Sequence, residues 1–551
     1  MKKLALVIPL LLLVAMQLPF VGWVPDDAYI SFRYAQHLSR GDGLVFNIGE
    51  RVEGFSNPLW TLYLGLAGRL GLDIVTVAVI SSSLAALAAL LLFWVLLRRF
   101  LPPVGDGASP LTARLAFLFT CMGACFFPLA FYATSGMEST AYLLFLLLGF
   151  SLQTGGMLEK RTAPLALASL PFLVASLLRP EGILFLGGSI LFTLVSTRPL
   201  PRLLPAALLL PLILFSGALA VKARYFGDLL PNTYYAKPGC SLAYLTPALE
   251  GAFYLFRFAI KSGLLLLLPF ALYPPRERRR LLCWFYLWFM TFLQIFFIAY
   301  AGVDVLRFDR FVLPFYPCYM ALAMLGVSEL LETGSAPARR FLPRFIAVCI
   351  ALIIACNIGQ AALARSKRCT HDWMHGGSLR TLGRLIRATF PDAGTVVANE
   401  VGAVAYYSGF TVIDMLGLTD RTVSRIRYRS WLEHGTGSSE GAIEAVGTYM
   451  LSRDPDIIVL PSFEPIDGGR SGPDRAAMHP LWYGLWKQPR FQREFAEIAT
   501  LEVHAHKYLT IYARHGTHVA RPDPALWRQG PCSRISWYAA RSDDPSRLKT
   551  R

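Results

Sequence analysis

Leu4-Ala5-Leu6-Val7-Ile8-Pro9-Leu10-Leu11-Leu12-Leu13-Val14-Ala15-Met16-Gln17-Leu18-Pro19-Phe20-Val21-Gly22-Trp23-Val24 carries no charge, and Pro25-Asp26-Asp27-Ala28-Tyr29 follows at once. About twenty apolar residues cross the hydrocarbon of a bilayer as a helix, so this run sets the class of the chain. Ser81–Leu97 and Phe345–Ala364 have the same character. Treating each such run as a span predicts about eleven transmembrane helices, over 3–24, 72–97, 114–132, 139–153, 163–178, 182–197, 204–222, 251–273, 281–300, 311–331 and 344–364. Pro58–Leu70 is too short to span and is placed at the interface. Met1-Lys2-Lys3 before the first run resembles a secretory signal, but the run is long and many others follow, so it reads as an uncleaved first helix.

Hydrophobic residues make up 54% of the 551 and charged residues only 16%, yet the formal net charge is +17. In a soluble chain that charge would suggest nucleic acid. Here much of it sits in short loops between spans, at Lys2/Lys3, Arg98/Arg99/Arg114, Lys160/Arg161, Arg198/Arg202, Arg276 with Arg278–Arg280, and Arg339/Arg340/Arg344. Those loops are assigned to the cytoplasm, which leaves no role for nucleic acid and makes the bilayer the partner of the basic residues. An odd number of spans then puts the tail outside.

The opposite loops are Pro25–Asn57, Ala133–Glu138, Arg179–Glu181, Arg224–Glu250 and Gly302–Arg310. They gather Asp26, Asp27, Glu138, Glu181, Asp228, Asn232, Lys237, Asp304, Arg307, Asp309 and Arg310, with aromatics between them. Paired charges and rings massed on one side of a membrane point to a site there. Each residue also has a plainer reading. Asp26 and Asp27 can cap a helix over Ser31–Leu38; Glu138 can cap the helix after it; Arg179 and Glu181 can be a local ion pair. Asn232, Tyr234 and Tyr235 can be interfacial belt residues, and Lys237 a lipid-phosphate anchor.

The tail reads as α/β, which divides the chain into a membrane domain, 1–364, with its first outer loop at 25–57, and a soluble cap domain, 365–551. Strands are expected at Thr395–Asn399, Thr411–Met415 and Asp456–Leu460, a helix at Arg380–Thr389 and a hairpin within Leu501–Tyr512. Gly-rich Asp467–Asp474 reads as a loop. Trp482, Tyr483 and Trp486 are either ligand-stacking aromatics or a core cluster. Cys369 and Cys532 would be able to pair in an oxidising compartment. His371 and His375 have zinc-helix spacing, but no catalytic Glu follows the first of them. There is no Walker loop, so no nucleotide-triphosphate site of that type is expected.

Asp26-Asp27-Ala28-Tyr29-Ile30-Ser31-Phe32-Arg33-Tyr34-Ala35, Gly43-Leu44-Val45-Phe46-Asn47 and Glu50-Arg51-Val52-Glu53-Gly54-Phe55-Ser56-Asn57-Pro58-Leu59-Trp60 together resemble the first outer loop of the mycobacterial terminal β-(1→2) arabinofuranosyltransferases and their bacterial relatives. The similarity continues through Ser135-Gly136-Met137-Glu138, Leu178-Arg179-Pro180-Glu181-Gly182 and Leu230-Pro231-Asn232-Thr233-Tyr234-Tyr235-Ala236-Lys237. It resumes at Arg310-Phe311-Val312-Leu313-Pro314 and at Asp414-Met415-Leu416-Gly417-Leu418-Thr419-Asp420. One element departs: where relatives have Gly-Gly-Asp this chain has Ala301-Gly302-Val303-Asp304, with Asp309 as a second candidate. The Trp-Trp-Asp type signature of oligosaccharyltransferases is missing, which argues against protein N-glycosylation.

The resemblance implies a polytopic α-helical GT-C-class membrane glycosyltransferase of the bacterial inner membrane, its cap domain periplasmic. It would move a sugar, arabinofuranose or another pentose or hexose, from a polyprenyl-phosphate donor to an envelope glycan or lipid acceptor. Asp26 or Asp27 would be the general base or hold the acceptor. Arg179, Lys237, Arg307 and Arg310 would meet the donor phosphate, with Lys222 and Arg224 as second choices. Glu138, Glu181, Asn232, Tyr234, Tyr235, Asp304 and Asp309 would contact substrate. Some GT-C enzymes use a divalent cation, for which Asp26 and Asp27 are the candidates. The rival classes are a secondary transporter, disfavoured because the charges gather at span ends and the halves do not repeat, and a non-catalytic factor for glycan assembly.

Overall fold

A computed structural model describes residues 4–101, 110–197, 202, 204–237, 245–302, 308–367, 377–462, 478–504, 507–520 and 534–536. Seventeen helices precede the tail among these residues: α1 Leu4–Gln17, α2 Asp26–Arg40, α3 Pro58–Arg69, α4 Ile74–Arg99, α5 Pro110–Ala124, α6 Phe127–Tyr132, α7 Ser139–Glu159, α8 Thr162–Leu167, α9 Ser169–Leu178, α10 Gly182–Ser196, α11 Leu204–Phe226, α12 Asn232–Ala236, α13 Leu245–Ser262, α14 Leu268–Leu272, α15 Arg278–Ala301, α16 Phe315–Thr333 and α17 Ala336–Ser366. Every expected span overlaps one of them, and several are divided into two helices. Among the described residues five helices are long and apolar enough to cross a membrane, within α4, α7, α11, α15 and α17. A sixth is a pair, α13 with the segment to Leu272, bent by 84°.

Proline accounts for two of the interruptions. A proline ring clashes with the carbonyl four residues earlier. Pro128 has Ala124 at that position and Pro171 has Leu167, the last residues of α5 and α8. The bent pair breaks at Gly263, which takes a φ of +75° that a side chain would resist. The breaks at α5/α6 and before α9 lie largely inside the bundle, where neighbouring helices supply partners for the freed backbone groups.

The tail is a mixed sheet of six strands, β1 Thr395–Ala398, β2 Thr411–Asp414, β3 Ile457–Ser462, β4 Phe495–His504, β5 Lys507–Arg514 and β6 Arg534–Ser536, in the order β2-β1-β3-β5-β4-β6. The first three are mutually parallel; β5, β4 and β6 continue antiparallel. Ile457-Ile458-Val459-Leu460 has no polar alternation because both faces of the sheet are covered. Ile457 and Val459 join the same core as the membrane helices, reached through the helices Gly377–Thr389 and Gly402–Ser408. Ile458 and Leu460 join a second core under the helices Arg421–His434, Glu440–Ser452 and Pro480–Trp486. Trp482 is buried in that second core with Tyr483 and Trp486 packed on it, so these rings are structural. Cys369, Cys532, His371, His375 and Asp467–Asp474 lie outside the described residues.

The tail docks on the bundle through polar groups as well as apolar ones. The side-chain amide of Asn47 donates to the carbonyl of Val412 at 2.9 Å and accepts from its N–H at 3.0 Å, pairing with edge strand β2 as another strand would. Asn232 donates to the carbonyls of Gly417, Leu418 and Asp420 at 2.7, 3.1 and 3.2 Å and accepts from Ser424 at 2.7 Å. Gly54 lets the chains close up: a Cβ there would stand 2.7 Å from Cγ2 of Thr419 and 3.0 Å from the carbonyl oxygen of Leu418.

Candidate active site

A cavity of about 340 Å3 opens at the tail-bearing end of the bundle. Asp27, Ser31, Asn57, Glu138, Arg179, Glu181, Tyr234, Lys237, Tyr300 and Arg310 line it, and the tail contributes Leu418. Its size falls in the range of small-molecule sites, roughly 300–1,000 Å3. Residues drawn from five separate loops of the sequence therefore meet in one space.

Asp26 and Asp27 begin α2 after Pro25, whose extended backbone starts the helix, and adjacent helical side chains diverge. Asp26 points to the tail. Its carboxylate accepts from the N–H of Gly402 at 3.0 Å and of Ala403 at 2.7 Å. Burial raises its pKa to about 7, while those two N–H groups oppose the rise. Asp27 points to the cavity. Both Asp26 oxygens accept from backbone donors, which leaves Asp27 as the carboxylate of the pair that faces the cavity. Among the described residues no cluster of three His, Cys, Asp or Glu side chains is placed to hold a metal.

The cavity wall is a buried hydrogen-bonded chain. Ser31 donates to Oδ1 of Asn57 at 3.0 Å, Asn57 donates to Oε2 of Glu138 at 2.7 Å, and Arg179 donates to Oε1 of Glu138 at 2.8 Å and to Glu181 at 2.5 Å. Gly136, at a φ of +70°, makes the turn that brings Glu138 here, with its carbonyl held by Nε1 of Trp60 at 3.1 Å. Glu138 does precede a helix, but its side chain bonds Asn57 and Arg179 rather than the helix N-terminus. Arg179, expected to meet a phosphate, has its charge answered by two carboxylates. The three together carry one net negative charge, which disfavours an anion beside them.

The remaining cations at the cavity are Lys237 and Arg310. Lys237 is exposed just beyond α12 and has no ion-pair partner among the described residues. Arg310 follows two residues at positive φ, Phe308 (80°) and Asp309 (61°), and this reversal swings the chain into the 3-10 turn Arg310–Val312 at the cavity. Asp309 pairs with Lys261 on α13 at 2.7 Å and does not line the cavity. Lys222 is likewise held, by Glu53 at 3.0 Å. Asp304 and Arg307 lie outside the described residues. Asn232 faces the tail as its clamp, Tyr234 lines the cavity, and Tyr235 stands beside it, donating to Asp228 at 3.3 Å.

Sequence reasoning missed Ser31, Asn57, Tyr300 and Leu418. Asn57-Pro58 carried a signal, a buried amide just before a helix, in a place where any polar side chain needs partners. Leu418 carried none, since an apolar side chain in a distant domain acquires its place only through docking.

The fold is similar to that of a solved oligosaccharyltransferase. It superposes on the crystal structure of the Archaeoglobus fulgidus oligosaccharyltransferase in complex with Zn and sulfate with a TM-score of 0.50, over 83% of this chain and 67% of that one, at 12% identity. In sequence, the chain is similar to the terminal β-(1→2)-arabinofuranosyltransferase of Mycobacterium tuberculosis (strain ATCC 25618 / H37Rv), 28% identical over 276 residues, which is 47% of this chain and 42% of the relative. The chain thus matches less than half the length of that curated relative. Residues 370–517 match a family described as a domain of unknown function (DUF8728).

Proposed function

We propose that this protein is a glycosyltransferase that moves a sugar from a polyprenyl-phosphate donor to an envelope glycan or lipid acceptor on the outer, periplasmic side of the bacterial inner membrane. The observation that carries the reading is the presence of Asp27, Lys237 and Arg310 around one cavity. Asp27 is the general base. It takes the proton of the acceptor hydroxyl as that oxygen bonds to the anomeric carbon. The bond from that carbon to the phosphate oxygen breaks, and polyprenyl phosphate leaves with the electron pair. Lys237 and Arg310 meet the charge that grows on the leaving phosphate, so it departs without a strong acid.

Attack from the face opposite the leaving group resembles inverting glycoside hydrolysis, in which one carboxylate activates the nucleophile. The Glu138–Arg179–Glu181 chain sets the wall against which the sugar binds. Its hydrogen bonds are made before substrate arrives, so little reorganisation is needed. Asp26 serves the reaction indirectly, by fixing the start of α2 to the tail.

Asp27→Asn separates an enzyme from a non-catalytic assembly factor or a transporter. The variant is expected to lose about 100-fold or more in transfer of labelled sugar from a polyprenyl-phosphate donor, with unfolding temperature and donor binding unchanged. Wild-type turnover by the Asn variant would remove the base assignment, and an inactive wild type would remove the reading itself.

A further inference from the structure

Beside the cavity, three tyrosines from both parts of the molecule form a cluster that the transfer chemistry does not use. Tyr234 and Tyr235 come from α12, and Tyr428 comes from the tail helix Arg421–His434. Their ring centroids lie 5.2 Å apart for Tyr234 and Tyr235, 5.3 Å for Tyr235 and Tyr428, and 6.1 Å for Tyr234 and Tyr428. Tyr300, which also lines the cavity, stands close to Tyr234. All three clustered rings are partly exposed.

The charges of the cluster cancel. Arg425 stacks over the Tyr235 ring at 3.2 Å from its centroid, and the same guanidinium bonds the carboxylate of Asp228. Partly exposed phenolic rings match a saccharide, which offers apolar C–H faces and a rim of hydroxyl groups. A lipid acceptor would instead ask for an unbroken apolar surface, and an acidic polymer for an unpaired cation at the rings themselves; the neighbouring Lys237 is given to the donor phosphate.

Resting on the transferase reading, we infer that Tyr234, Tyr235 and Tyr428 form an acceptor subsite for a neutral oligosaccharide, one or more sugar residues away from the hydroxyl that reacts at Asp27. The acceptor is then a glycan chain, and the tail helix Arg421–His434 helps select it.

The test uses the full-length protein in detergent and neutral gluco-, manno- and arabino-oligosaccharides of four to six residues, with oligogalacturonides as acidic controls. Binding is read by saturation-transfer NMR, which needs no turnover and so stands apart from the transferase assay. At least one neutral series is expected to bind the wild type, at least five-fold more weakly to Tyr428→Ala, and with affinity restored in Tyr428→Trp. Polyprenyl-phosphate binding should be equal in all three proteins, which excludes misfolding. The inference is overturned if no neutral series binds the wild type, if the acidic controls bind more tightly, or if Tyr428→Ala binds as the wild type does. An inactive wild type that still shows the Tyr428-dependent binding would overturn the transferase reading and leave the saccharide site standing.

Discussion

The carboxylate of Asp26 accepts a hydrogen bond at 2.7 Å from the backbone N–H of Ala403, 377 residues away along the chain. Neighbouring Asp27 faces the cavity. The first helix after the first apolar run is therefore held by the tail on one side and serves the site on the other. A Cβ on Gly402 would stand 2.0 Å from the carbonyl oxygen of Asp26, so the contact tolerates glycine alone.

This latch makes docking depend on pH. Burial holds the Asp26 carboxyl at about 7, above its ordinary 3.8. Burial also raises Glu53 to about 7, with Lys222 opposing the rise. An acid whose folded pKa is raised binds its proton more tightly when folded, so its contribution is full below about pH 4 and is lost as pH climbs towards 7. The unfolding temperature should therefore fall across that interval, and Asp26→Asn should flatten the fall while Glu53 retains its share. An unchanged slope in Asp26→Asn, measured by scanning fluorimetry, would refute the coupling.

Arg179→Met should be among the most damaging changes in the bundle. It leaves Glu138 and Glu181 buried without their cation, a loss of roughly 3–5 kcal/mol for a broken buried pair. Denaturation of the purified protein in detergent measures it. A variant as stable as the wild type would show that the triad is not a structural wall, and would reopen Arg179 as a phosphate ligand.

Lys237→Met should act on the donor and leave the fold intact, because the side chain is exposed. A drop of about 100-fold in kcat/KM for the polyprenyl-phosphate sugar is expected, the scale found when one charge-stabilising group is removed. Steady-state kinetics with a water-soluble short-chain donor would check it, and a normal kcat/KM would strike Lys237 from the site.

Asn232→Ala should loosen the tail. It takes the donor from the carbonyls of Gly417, Leu418 and Asp420, at roughly 1–3 kcal/mol for buried groups left unsatisfied. Hydrogen exchange across 414–424 should speed up in the variant while exchange within α7 is unchanged. Equal rates in both proteins would mean that the apolar contacts alone hold the tail.

Sequence alone determined the membrane character of the chain, the α/β nature of its tail and the set of loops from which the site is drawn. These follow from composition and period along the chain, as in the uncharged run Leu4–Val24 or the β-branched run Ile457–Leu460. Tertiary structure alone decided which of two adjacent aspartates faces the cavity, that Arg179 is answered by Glu138 and Glu181, and that Leu418 and Tyr428 reach the site from the tail. Those outcomes depend on the distance and direction between side chains far apart in sequence. A carboxylate has the same composition whether it meets a substrate or the N–H of Ala403, and only the packing of one helix against another chooses between them.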